Sequence, residues 1–324
     1  PPSPHLLAQP SGERMDFNLE SLDTWTVVIG GLSAVAAALP GCFLVLRRMS
    51  MMGDAISHAI LPGIAMGFLL THTRITVVMF IGAACAGLLT AAFTQCISKY
   101  GKVDRGAAMG IVFTTLFAIG LILIRQSAQH VELDPGCVLY GSLEYSVIDM
   151  LQIGAIELPR AAVSIGSVMC INILVITFLH KELAISTFDP ALATTLGISS
   201  VLMHYILMVV VAVTTVAAFE ALGSIIVIAM LVVPPATALL LTRRLSNMLT
   251  FSAVIGMLSA FLGHLGAVAI PPAFGFQATV SSGMMAVAAG ALFCCAWFFS
   301  PSQGLLVRLR KKGGRLPPLA GEGS

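Results

Sequence analysis

The sequence predicts an all-α fold, a polytopic helical membrane protein with about nine transmembrane helices, in a range of eight to ten. Three observations carry this. The chain of 324 residues is 57% hydrophobic and only 10% charged, far below the roughly one quarter charged of a soluble domain. Its mean hydropathy is +0.96. Its apolar residues come in long runs of about 20, the length a helix needs to cross a bilayer, and not in the short alternating segments of a membrane β-barrel.

The runs fall at about 24–46, 55–71, 76–97, 106–125, 161–180, 201–219, 222–242, 248–269 and 282–300. The second is short and rich in Gly and Pro. The sixth and seventh run together, with a turn expected in "AFEALGS" at 218–224. Lysine and arginine orient the set. With nine spans, Arg47 and Arg48, Lys99, Lys102 and Arg105, Lys181, Arg243 and Arg244, and the basic residues of the tail all fall on one side. That places the N-terminus outside and the C-terminus in the cytoplasm. The expected organisation is a polar, disordered N-terminal extension (1–23), one permeation domain (24–300) and a basic cytoplasmic tail (301–324). The Pro-rich stretch ahead of Met15 has no apolar core and is not a signal peptide. The seven cysteines form no C-x-x-C pair and read as small apolar residues, not as a disulfide or zinc framework.

Two connections are long enough to carry structure of their own. The outer one, 126–160, holds His130, Glu132, Asp134 and Glu144; its acidic patch is either a solvated face or a means of concentrating cations. The inner one, 180–200, contains "FDPALATTLGI" at 188–198. Here Asp189 suits an N-cap, Pro190 the first turn and Gly197 the stop of a short amphipathic helix.

The acidic residues inside spans are Asp54 and Glu220. A charge at the bilayer centre costs at least about 2.5–3.5 kcal/mol, so each is expected to face a cavity or a partner. In "RRMSMMGDAISHAILPGIAMGFLL" (47–70) Asp54 and His58 are four residues apart, and on a helix they share a face. A carboxylate and an imidazole suit manganese, iron or zinc; the plainer alternative is a hydrogen bond that ties one helix to the next. Gly53, Pro62, Gly63 and Gly67 suggest a broken helix with exposed carbonyls. Met51 and Met52 are packing residues or soft ligands. Glu220 is either interfacial or a gate, and His264 either packs or ligates. There is no phosphate-binding G-x-x-x-x-G-K-[ST], no H-E-x-x-H and no nucleophile context, so the chain is not expected to be an enzyme.

The segment 47–70 resembles the signature of the metal-type ABC importer permeases, the membrane subunits of bacterial manganese, zinc and iron uptake systems. "GKVDRGAAMGIVFTTLFAIGLILI" (101–124), "FDPALATTLGI" (188–198) and "ALGSIIVIAMLVVPPATALLL" (221–241) match the same family in the same order. The resemblance implies a type II ABC importer permease fold. It implies a second permease chain, identical or related, a cytoplasmic ABC ATPase dimer and an extracytoplasmic metal-binding protein, with the lipid bilayer as surroundings and no nucleic acid. It places Asp54 and His58 on the ion path; Glu220 and His264 are second choices read from the residues alone. Phe188, Asp189, Pro190, Leu196 and Gly197 become the contact with the ATPase. No permanent cofactor is implied; the divalent ion is cargo, and "HVELDPGCVLYGSLE" (130–144) tilts the expectation toward manganese over zinc. Arg74, Arg125 and Arg160, on the outer side, are candidates for docking the binding protein. Two alternatives remain: a permease for a metal chelate or vitamin on the same architecture, for which Asp54 and His58 would be dispensable, and a proton-coupled secondary carrier, which has no use for the 188–198 helix.

Overall fold

A computed structural model describes residues 19–71, 76–127, 143–153, 156–273, 275 and 279–300. Its elements are α1 (Leu19–Leu46), α2 (Met52–Thr71), α3 (Thr76–Gly101), α4 (Arg105–Ser127), a single turn α5 (Leu143–Ser146), β1 (Met150–Ile153), β2 (Ile156–Pro159), α6 (Arg160–Phe178), α7 (His180–Phe188), α8 (Pro190–Thr195), α9 (Ser200–Leu222), α10 (Ser224–Leu241), α11 (Leu245–Ala273) and α12 (Ser281–Phe299). Among the described residues, 8 helices are long and apolar enough to cross a membrane. The remaining expected span, 222–242, is helix α10, whose apolar stretch Ile226–Leu241 is shorter. Its tandem Pro234 and Pro235 stay inside the helix, as membrane helices permit where neighbours satisfy the freed carbonyls.

The helices form two groups joined by α1 and α9. In one, α2 packs on α3 and α4; in the other, α10, α11 and α12 pack together, and α1 lies against α6, α9, α10 and α11. Phe43 and Leu44 of α1, Met52, Ile56 and Ile60 of α2, and Leu207 and Met208 of α9 are fully buried between them. Ile111, Ile119 and Ile122 of α4, Leu174 of α6, and Val254, Phe261 and Val268 of α11 are exposed. That arrangement, with large apolar side chains on the outside as well as the inside, is what a hydrocarbon surrounding requires. The chain is a multi-pass membrane protein.

Close approach is made by small residues. A Cβ on Gly63 of α2 would run into the backbone of Gly82 and Ala83 on α3, and one on Gly82 would meet the Gly63 carbonyl. Polar groups cross-link the helices elsewhere. The buried Asn172 of α6 donates to the Ala36 carbonyl of α1 at 3.0 Å and to the Thr214 hydroxyl of α9 at 2.7 Å. Interhelical bonds of this kind contribute on the order of 1 kcal/mol in a membrane protein. Asn172→Leu is therefore expected to fold but to lower the apparent melting temperature in detergent by a few degrees; an unchanged melting curve would show the clamp to be dispensable.

Several expectations are refined. The segment expected to be a broken second helix is continuous from Met52 to Thr71 with Pro62 inside it. Met52 is fully buried and so is a packing residue, whereas Met51 is exposed. The turn expected at 218–224 is made by Gly223, at φ +82°, a conformation open to glycine. The inner connection holds one helix more than expected, α7, which carries Phe188 as its last residue. In the outer connection the described residues form α5 and the β1–β2 hairpin, with Met150 opposite Pro159. His130, Glu132 and Asp134, together with Arg74, residues 1–18 and the tail 301–324, lie outside the described residues.

Candidate metal path and the partner-facing end

The site begins with the way α1 stops. Met49 N–H bonds to Leu44 O at 2.9 Å and Arg48 N–H to Val45 O at 3.1 Å, with Arg48 at φ +57°. This is the paired bonding that ends a helix on a left-handed residue, and it starts α2 at Met52 almost at once. Asp54 then falls in the first turn of α2, where the positive end of the helix dipole favours a carboxylate. That location lessens the burden of a charge in an apolar helix. It also puts Asp54 near one end of the span and not at its middle.

One turn on, His58 Nε2 lies 3.3 Å from Asp54 Oδ1. The imidazole is held by α4: its ring centre is 5.0 Å from that of Phe113 and 5.5 Å from that of Phe117. Those phenylalanines, themselves four residues apart, fix the plane of the ring so that one nitrogen faces the carboxylate. The other, Nδ1, is buried with no hydrogen-bond partner. The Asp54 side chain is 41% exposed and that of His58 22%, so the pair opens on one side while the ring stays wedged.

Chemically this is one oxygen and one nitrogen donor in reach of a common point. Among the described residues no third His, Cys, Asp or Glu joins them. First-row divalent ions take about four to six ligands, so an ion held here would need ligands beyond these two. His264 and Glu220 do not complete the set. His264 sits late in α11, buried, with Nδ1 3.3 Å from the Ser281 hydroxyl of α12. α11 starts beside the end of α1, where Cys42 approaches the Met248 carbonyl, and at ~1.5 Å per residue His264 lies most of a span away from that end. Glu220 is in the last turn of α9, whose first turn is at the Asp54 end; its side chain lies outside the described residues.

The end of the bundle that carries Asp54 also carries α7 and α8. Asp189 Oδ1 accepts from the N–H groups of Ala191 (3.1 Å) and Leu192 (2.9 Å), and Pro190 is the first helical residue. The helix closes with Leu196 as its cap and Gly197 at φ +81°. Phe188 at the end of α7, Leu192 of α8 and the cap residue Leu196 are exposed, an apolar patch on a polar end of the molecule. Arg47 ties this element to the start of α2: its side chain donates to Thr187 Oγ1 at 3.0 Å and Ser186 Oγ at 2.9 Å, both on α7, and lies 3.5 Å from His204 Nδ1 on α9. Arg125, in the last turn of α4, and Arg160, at the start of α6, are both exposed at the opposite end.

Residues 21–300 match the ABC 3 transport family. The chain belongs to that family. It is 41% identical over 290 residues, covering 89% of this chain and 95% of the relative, to the manganese transport system membrane protein MntD of Bacillus subtilis. It is 44% identical over 179 residues, 55% of this chain and 49% of the relative, to the zinc transport system membrane protein TroD of Treponema pallidum. Among solved structures, PsaBC from Streptococcus pneumoniae, in complex with Fab, superposes with a TM-score of 0.71 at 30% identity, covering 89% of this chain and 94% of that one. The family's helical permease architecture is thus the architecture described above.

Sequence reasoning singled out Asp54, His58 and the Asp189–Gly197 stop-and-start signals. It missed the two phenylalanines that hold His58, although their four-residue spacing in "VFTTLF" (112–117) is a usable signal. It also read Arg47 as a topology marker only, whereas Arg47 is the link between α7 and the α1–α2 turn.

Proposed function

We propose that this chain is the permease of an ATP-driven importer that carries a divalent transition-metal ion, manganese ahead of iron or zinc, into the cytoplasm by alternating access. The observation that carries this reading is the half-open Asp54–His58 pair, a ligand set for such ions held rigidly by α4 in a helix otherwise packed with apolar residues. Similarity to a manganese system along nearly the whole chain supports manganese first. The chain's own residues supply no ATP site by motif, and hydrolysis belongs to a cytoplasmic ATPase dimer seated on Phe188, Leu192 and Leu196 of the α7–α8 corner.

The basic loops put that corner in the cytoplasm. Asp54 and His58 then lie in the inner part of the membrane, and an ion delivered by an extracytoplasmic binding protein reaches them late in its passage. Arg125 and Arg160, exposed at the opposite end, would dock that protein; Arg74, the third candidate, lies outside the described residues. A second permease chain, set against the open side of the pair, would supply the missing ligands. Movement of α7 by the ATPase passes through Arg47 to the turn that positions Asp54, a direct mechanical route from ATP to the metal path. Weak, incomplete ligation suits a transit site, which must release what it binds.

The test is uptake of radioactive manganese into vesicles holding the chain with its ATPase and binding protein. ATP-dependent accumulation, suppressed by excess manganese more strongly than by iron or zinc, is expected. Accumulation that follows a proton gradient without ATP would instead identify a secondary carrier, and uptake confined to a metal chelate would identify the bulkier cargo.

A further inference from the structure

The α1–α2 turn, the end of α3, the start of α4, the α7–α8 corner and the start of α9 line an open cavity of about 500 Å³. Its walls carry Arg47, Arg48, Lys99 and Arg105 and, among the described residues, no carboxylate. Such a volume is that of a small-molecule site, and a cluster of cations is the wrong lining for a metal ion's route. Two polar groups of wall residues are buried without a hydrogen-bond partner among the described residues: the hydroxyl of Thr94, a residue 2% exposed, and the side-chain oxygen of Gln95. A hydroxyl can turn its proton to an anion, and an amide can flip to offer its NH2. Burial, and next the charge of Arg105, push the pKa of the Arg47 guanidinium down to about 10.

We propose that this cavity is a binding site for a phosphate-bearing anion, independent of the metal path. Guanidinium forks, a lysine and a hydroxyl match the several oxygens and multiple charge of a phosphate group better than a lone carboxylate. The volume leaves room for what the phosphate is attached to. Two sources share this chemistry: a soluble phosphate compound, and the headgroup of an anionic phospholipid at the membrane surface. Bound there, the anion would bridge α3 and α4 to the α1–α2 turn, beside the element that faces the ATPase.

The experiment measures binding to the purified full chain in neutral detergent, titrated with inorganic phosphate at constant ionic strength, with chloride and acetate as controls. A second arm places the chain in nanodiscs of phosphatidylcholine with added phosphatidylglycerol and counts retained lipid by native mass spectrometry. Saturable binding in either arm is expected, weakened about tenfold, or roughly 1.4 kcal/mol, by K99Q/R105Q and several-fold by Thr94→Val, which alters no charge. Binding of inorganic phosphate identifies the soluble source, and retention of phosphatidylglycerol alone identifies the lipid. Lys99→Gln, an exposed position, serves if the double variant does not fold. The proposal is overturned if neither probe binds beyond chloride, if acetate binds as well as phosphate, or if T94V binds as the parent does, since attraction would then be diffuse.

Discussion

Replacing Asp54 with Asn, or His58 with Gln, is expected to cut ATP-dependent metal uptake by at least about tenfold, the lower range of loss seen when even a supporting group of a metal site is removed. Both substitutions preserve shape. Asp54→Asn keeps the side chain's outline and removes its charge, and the carboxylate's one side-chain partner is His58, so little structure depends on it. His58→Gln keeps a polar group of similar volume between Phe113 and Phe117 but loses the imidazole nitrogen. Assembly with the ATPase and basal ATP hydrolysis should survive in both, because Phe188, Leu192 and Leu196 are untouched. If uptake persists unchanged in both variants, the pair is a helix-packing bond and the ion travels elsewhere. Loss of hydrolysis together with uptake would point to a structural collapse and is checked by gel filtration of the assembled complex.

Gly63→Leu is expected to have the largest effect on folding: no monodisperse chain should be recovered from membranes. The reason is local. The backbones of α2 and α3 meet at Gly63 and Gly82, and a side chain at either position meets main chain that has no rotamer through which to yield. Ordinary overpacking costs about 1–3 kcal/mol because side chains shift; here whole helices would have to separate, and α2 carries Asp54 and His58. Gly166→Leu on α6, where an added Cβ has nothing within 4 Å, is the matching control and should be recovered as well as the parent. Normal recovery and uptake for Gly63→Leu would show that the α2–α3 contact is looser than described.

How much of this was legible beforehand follows from the kind of signal each feature leaves. Spans announce themselves by length and apolarity, and α8 by an Asp-Pro start and a Gly stop, because these are local effects of solvation and backbone geometry. Asp54 and His58 stood out because a charge in an apolar run needs a reason. The wedge of Phe113 and Phe117 and the Arg47 bridge to Ser186 and Thr187 join residues far apart in sequence, made of types common in any membrane helix, and only packing brings them together. Pro62 illustrates the opposite error: a Gly/Pro-rich stretch suggested a break, yet α2 stays whole because neighbouring helices support it. The small residues there serve the approach of α3 and α4, with Gly120 of α4 set against Pro62.

The most direct test of the metal path is pulsed electron paramagnetic resonance of manganese(II) bound to the full chain in its ATPase complex. Coupling of the metal to a histidine nitrogen, present in the parent and absent in His58→Gln, is what this account predicts. Bound manganese with no nitrogen coupling in the parent, or with coupling retained in His58→Gln, would contradict it.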